Sequence, residues 1–229
     1  MALKNALIVF ALGAALSVAT AEDACYGDAK YKVFNSCVWS SKTHPTDYPD
    51  NAHWSPLCGT SHSDKWTMYK EGEVTTTEGV KLVAEIGSCS ELEDAIEACG
   101  EDGYCKKPVN WKCSMFSGTC DHEGKIEVDQ KHPYVSLISM IAPSPDWMVG
   151  VSSLNMCKDG KWMKEYSKML YALDAGTDSG DTFKSSNAPT EPWEAVSRFD
   201  AEDKSNIFWN RDEKVLNPIC TITFTLDEE

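Results

Sequence analysis

Positive charge is what this chain has least of: 21 Lys and Arg stand against 36 Asp and Glu, a formal net charge of −15. Binding a phosphate backbone requires clustered cations that displace its counterions, so the balance argues against nucleic acid and against anionic membrane surfaces as partners. Beyond Val18 there is no further long apolar run, so no membrane-spanning helix is expected in the mature chain. Gly-x-Ser-x-Gly and His-Glu-x-x-His are both missing, which removes the commonest hydrolase signatures. Cys-x2-Cys pairs and Asn-x-Ser/Thr acceptors are absent too, so neither a zinc module nor N-glycosylation is expected.

What is present begins with a leader. Lys4 gives a positive start, Ala6 to Val18 are apolar, and Ala19-Thr20-Ala21 is a small-x-small cleavage site. Residues 1 to 21 read as a signal peptide, which leaves 22–229 as a single secreted, extracellular domain. All ten Cys follow the leader, and an even count in an oxidising compartment predicts five disulfides whose pairing the spacing leaves open.

Polar and apolar residues alternate over Lys30, Tyr31, Lys32, Val33 and Phe34, and again from Pro218 to Leu226, with Cys220, Ile222, Phe224 and Leu226 on one face. Both stretches predict half-buried strands. Lys125 to Asp129, Tyr134 to Ala142 and Trp147 to Leu154 add three more. Pro45, Pro49 and Pro56 make the region between Thr43 and Leu57 an ordered loop or edge. Glu78 to Gly87 is apolar and ambiguous in type, and Trp162 to Leu173 fits either helical or strand spacing. Ser90 to Cys99 reads as a helix, with Ser90 and Glu93 as a capping box and Gly100 as its stop. Five Cys between Cys89 and Cys120 mark a Cys-rich, disulfide-stapled excursion on the surface. The fold class is therefore mainly β, an antiparallel β-sandwich with one short helix and this insertion.

His44, His53 and His62 lie in turn-rich surroundings beside Pro, Trp and Ser, where hydrogen-bonded structural roles are expected rather than catalysis. Ser61-His62-Ser63-Asp64 holds the residue types of a triad, but adjacent positions cannot form one. No enzymatic activity is expected.

The most specific stretch is Pro143 to Gly180. It carries Pro-Ser-Pro-Asp-Trp-Met-Val-Gly-Val and Asp-Ala-Gly-Thr-Asp-Ser-Gly, two blocks in which carboxylates sit among turn-forming residues. Fixed turns with several Asp suit calcium, which takes six to eight oxygen ligands and offsets carboxylate repulsion. Asp146, Asp174 and Asp178 are the expected ligands of a Ca2+ ion. An EF-hand is excluded, because the twelfth position counted from Asp174 is Ser185 and not Glu.

His44-Pro45, Tyr48-Pro49, His53-Trp54-Ser55, Gly59-Thr60-Ser61-His62, Pro143-Ser144-Pro145-Asp146-Trp147, Val149-Gly150 and Asp174 to Gly180 together resemble the spondin domain of F-spondin and mindin. The resemblance runs from about Cys25 to about Arg198, plus the final strand. It implies an extracellular sandwich similar in outline to C2 domains, with calcium held at one end by Asp146, Asp174 and Asp178. It also implies a disulfide between Cys25 and Cys157, and a role in the extracellular matrix, in cell adhesion or in recognition of a cell-surface protein or glycan. A soluble secreted factor without an adhesive role is the alternative. Tyr171-Ala172-Leu173 replaces a Pro-Trp pair found in F-spondin, and the Cys89 to Cys120 stretch has no counterpart there.

Overall fold

In the computed structural model, which describes residues 24–75, 77–113 and 117–228, most strands form where apolar residues alternate with polar ones. In chain order the elements are β1 (Ala29–Val38), β2 (His53–Trp54), β3 (Leu57–His62), α1 (Glu78–Ile86), α2 (Ser90–Glu101), β4 (Val109–Trp111), β5 (Thr119–Val128), β6 (Tyr134–Ala142) and β7 (Trp147–Asn155). They continue with β8 (Cys157–Lys158), β9 (Lys161–Trp162), β10 (Glu165–Leu170), β11 (Leu173–Asp174), β12 (Ser197–Arg198), β13 (Trp209–Asn210), β14 (Val215–Leu216) and β15 (Cys220–Leu226). The leader at residues 1 to 21 lies outside the described residues. Among those described, no helix is long and apolar enough to cross a membrane.

Two antiparallel sheets face each other. One has the order β10-β15-β1-β5, and the larger one runs β12-β11-β7-β6-β3-β4, with β2 paired to β6. In β1 the inward set is Ala29, Tyr31, Val33, Asn35 and Cys37, all buried, and Val33 lies opposite Phe224 of β15. These residues meet Leu137, Ile141, Val149 and Val151 of the other sheet in one core, so a two-residue period on each strand is sufficient to build the sandwich. The segment from Trp162 to Leu173, open to either reading in sequence, is settled as strand by its partner: β10 pairs with β15 from Glu165 opposite Thr225 to Leu170 opposite Cys220.

The near-continuous apolar run of β6 has a separate cause. Leu137 and Ile141 enter the inter-sheet core, while Ile138 packs on the opposite face against Val80, Val83, Leu92 and Ile96 of a helical layer. A strand covered on both faces has no polar side to alternate with. Among the described residues there are two helices rather than the single one expected. The ambiguous segment becomes α1 because Thr77 caps it, its side chain accepting from the Val80 N–H, and Gly87 closes it in the left-handed conformation at φ 68°. Gly79 lets α2 approach closely, since a Cβ there would sit 2.6 Å from Leu92 Cα.

The capping box expected for α2 does not form. Cys89 occupies the N-cap with no side-chain hydrogen bond, the helix runs past Gly100 to Glu101, and Glu93 instead accepts from Asn110 Nδ2 at 2.6 Å. The stretch from Cys89 to Cys120 is stapled but is not a surface excursion. Leu92, Ile96 and Cys120 are all fully buried, and Thr119 already belongs to β5.

All ten Cys pair: Cys25 with Cys157, Cys37 with Cys220, Cys58 with Cys89, Cys99 with Cys105, and Cys113 with Cys120. The first pair is the one implied by resemblance. Cys58 to Cys89 ties the larger sheet to the start of α2, locking the helical layer in place.

Candidate metal centre

Asp146 leaves the turn before β7 and is fully buried, Asp178 is 4% exposed and Asp174 is half-buried. The structure places the three in neighbouring turns beside the β7–β11 edge, but their carboxylate oxygens do not all lie within 4.8 Å of one another. β11 adds to the edge of β7 with Asp174 opposite Trp147, and the Ala175 N–H donates to the Asp146 carbonyl at 3.2 Å. From there Gly176, at φ 76°, turns the chain back over Asp146. Asp146 Oδ2 accepts from the backbone N–H groups of Thr177 at 2.7 Å and Asp178 at 3.1 Å.

Each loop carboxylate also folds its own turn. Asp174 Oδ1 accepts from the Gly176 N–H at 2.8 Å, and Asp178 Oδ1 from the Gly180 N–H at 2.8 Å, two Asx-turns in succession. Asp178 Oδ2 accepts from the Ala188 N–H at 2.8 Å, and a bridge between Asp178 and Pro189 fixes the outer part of the loop. Below, Trp147 packs edge-on against Phe183, Phe199 and Phe208 at centroid distances of 5.1, 5.4 and 5.3 Å. This aromatic cluster anchors the long irregular segment after β11, so the carboxylates sit on a rigid base.

Asp146 Oδ1 is buried and has no hydrogen-bond partner. Burial, then the charge of Asp174, push the Asp146 carboxyl up to about 7, against the opposing pull of the Thr177 and Asp178 amides. Asp174 is also raised, mainly by burial. The Trp147 indole works in the opposite sense on Asp174, although its N–H does not reach hydrogen-bonding geometry. A buried carboxylate oxygen with an open lone pair beside two further carboxylates is what a hard cation satisfies. The donors are all oxygen, the kind of ligand calcium takes.

Sequence reasoning missed two neighbours. Thr177 supplies an amide to Asp146 and places its hydroxyl 3.4 Å from Oδ2. Glu85, at the end of α1, has a buried and unpartnered Oε1, and its carboxyl is raised chiefly by burial, with a smaller contribution from Asp178. The position of Thr177 between two loop Asp was its only sequence signal; Glu85 had none.

His44, His53 and His62 are each held by backbone carbonyls or side-chain hydroxyls. His62 is fully buried, with Nδ1 on the Ser63 carbonyl and Nε2 on Ser136 Oγ, both at 2.7 Å, so no carboxylate orients it. His44 bonds Thr43 Oγ1 and the Asn217 carbonyl, and His53 the Asn51 carbonyl. Cys113, Cys120 and His122 lie close enough to hold a metal, but the two sulfurs are joined in a disulfide and both ring nitrogens of His122 are engaged, by the Ser55 carbonyl and Asn35 Nδ2.

The fold is a disulfide-linked antiparallel sandwich with three carboxylates, Asp146, Asp174 and Asp178, in the turns beside β7 and β11. The Spondin_N family profile matches residues 29–218, and the chain belongs to that family. Spondin-2 of Rattus norvegicus is 37% identical over 202 residues, covering 86% of this chain and 61% of that protein. Spondin-2 of Homo sapiens is 35% identical over 226 residues, covering 95% of this chain and 68% of its own length. Spondin-1 of Gallus gallus is 37% identical over 175 residues, 74% of this chain but 22% of that protein. The chain thus spans about three fifths of Spondin-2 from rat and about a fifth of Spondin-1.

Proposed function

We propose that this chain is a secreted, calcium-binding spondin-domain protein that acts as a recognition or adhesion module in the extracellular matrix. The observation that carries the calcium reading is the buried, unpartnered Oδ1 of Asp146 beside Asp174 and Asp178. Asp146, Asp174 and Asp178 would hold the ion, which supplies positive charge that offsets their repulsion. Asp146 joins the sheet to the loop, and the two Asx-turns fix the loop at Asp174 and Asp178. The role is mechanical: ion binding orders one end of the sandwich and presents it to a protein or glycan partner.

Anything that binds the folded chain alone raises its stability by mass action. Thermal melts in added calcium should therefore shift upward and those in EDTA downward, and the near-isosteric Asp146→Asn should abolish the difference. Identical melting curves with and without calcium in the wild-type chain would sink the site. For the recognition role, pull-downs on matrix, cell surfaces and glycans should retain the chain; retention by none of them favours the soluble-factor alternative.

A further inference from the structure

A cavity of about 430 Å³ opens at the flank of the sandwich, between the loop after β3 and the C-terminal half of β7. Ser152 lies six residues beyond Asp146, roughly 20 Å along the strand, so the cavity is separate from the proposed cation site. Its wall is built from rings held in place. His62 packs edge-on against Trp66 at 4.9 Å and stacks on Tyr134 at 6.0 Å. Because His62 Nδ1 donates to the Ser63 carbonyl, its Nε2 accepts from the Ser136 hydroxyl, which in turn accepts the Ser153 N–H at 2.8 Å. That chain of bonds holds Ser153 in the left-handed region at φ 52°, where the β6–β7 register shifts. A non-glycine residue in that conformation costs of order 1–3 kcal/mol and marks a position the surroundings over-determine.

The charges in the cavity are unequal in their commitments. Lys70 is paired with Glu73 and Glu71 with Arg198. Lys168 points inward from β10, on the same face as Tyr166 and Leu170, and makes no ion pair or side-chain hydrogen bond among the described residues. Asp64 at the rim is exposed and likewise unpaired.

We propose that this cavity is a subsite for one acidic sugar residue, with its ring against Trp66 and Tyr134, its carboxylate on Lys168 and its hydroxyls on Ser153 and Asp64. A half-buried, unpaired cation calls for an anion, and a charge-assisted bond is the strong kind. Asp64 and Glu71 at the rim and the chain's net charge of −15 repel a polyanion, which selects a single carboxylate. A neutral sugar would leave Lys168 without a partner, whereas a bare organic acid would leave Asp64 without hydroxyl donors. The volume suits one or two sugar rings. The proposal deepens the recognition role above and rests on it only in taking the chain as extracellular.

An inward lysine on an edge strand also discourages edge-to-edge pairing, a role that any charge fills. Lys168→Glu keeps such a charge and reverses its sign, so it separates the two roles. The full chain is titrated by isothermal calorimetry and saturation-transfer NMR with the methyl glycosides of N-acetylneuraminic acid and glucuronic acid, and with methyl glucoside as the neutral control, each in calcium and in EDTA. The expected result is binding of at least one acidic glycoside, about tenfold or more tighter than methyl glucoside. Lys168→Glu should abolish that binding with an unchanged melting curve, and Trp66→Ala should weaken it about three- to tenfold. No binding of either acidic glycoside, equal binding of methyl glucoside, or full affinity in Lys168→Glu overturns the proposal. The calcium reading is judged separately, by whether EDTA moves the melting curve.

Discussion

At the scale of single residues the loop that carries Asp174 and Asp178 depends on Gly176. Its φ of 76° lies in the left-handed region, and a Cβ there would stand 2.4 Å from the Glu194 carbonyl oxygen. Its N–H binds Asp174 Oδ1, and its carbonyl accepts from the Glu194 N–H at 2.8 Å. Gly176→Ala combines backbone strain with a clash against main chain that cannot rotate away. A loss of about 2 kcal/mol or more in urea unfolding is expected, with calcium affinity falling because Asp174 and Asp178 move apart; calorimetric titration with calcium checks the second effect. Turns at Asp174 and Asp178 were legible because Asp beside Gly and Ser favours Asx-turns, which both residues form. Thr177 was not, since what it gives Asp146 is chiefly a backbone amide, and every residue except proline has one.

At the scale of elements, legibility tracked periodicity. β1, β6 and β15 were readable because one or both faces meet a core and the side chains say so. α1 was not, because Gly79 and Gly87 flank or interrupt a short apolar run and only Thr77 and contact with α2 decide its type. α2 was recognised as a helix but misplaced on the surface, since a helix of acidic residues with a narrow apolar stripe looks solvent-facing until its partner is known. Ile96 tests the correction. It is fully buried in the cluster joining both helices to β6, so Ile96→Ala should cost about 2–5 kcal/mol. The exposed Glu97→Ala, one position on, should change stability by about 0.5 kcal/mol or less. Similar midpoints for the two variants in guanidinium would return the helix to the surface.

At the scale of the whole molecule, an acidic exterior surrounds an interior that holds neutral histidines. His44, His62 and His122 are each buried, and burial pulls each below the ordinary histidine value of 6.5. In the folded chain they resist protonation that the unfolded chain accepts, so their contribution to stability is complete above 6.5 and drains away as pH falls toward the lowered values. His122 isolates the effect. Its Nε2 donates to the Ser55 carbonyl at 2.9 Å while Nδ1 accepts from Asn35 Nδ2 at 3.2 Å, both inside the inter-sheet space, and the nearby charge of Asp121 only partly offsets its burial. Asp146 and Asp174, raised by burial, act in the opposite sense when no cation is bound, so the slope of the wild-type chain alone mixes the two. The difference between wild type and His122→Gln removes the shared carboxylates. At pH 7.5 the variant should be the less stable, having lost a fitted ring. In urea melts at progressively lower pH the gap should narrow, because only the wild type must then bury an imidazole that the solvent would protonate. A gap that stays constant down to pH 5 would mean that His122 accepts its proton in the folded state, with the Asn35 amide turned to receive it.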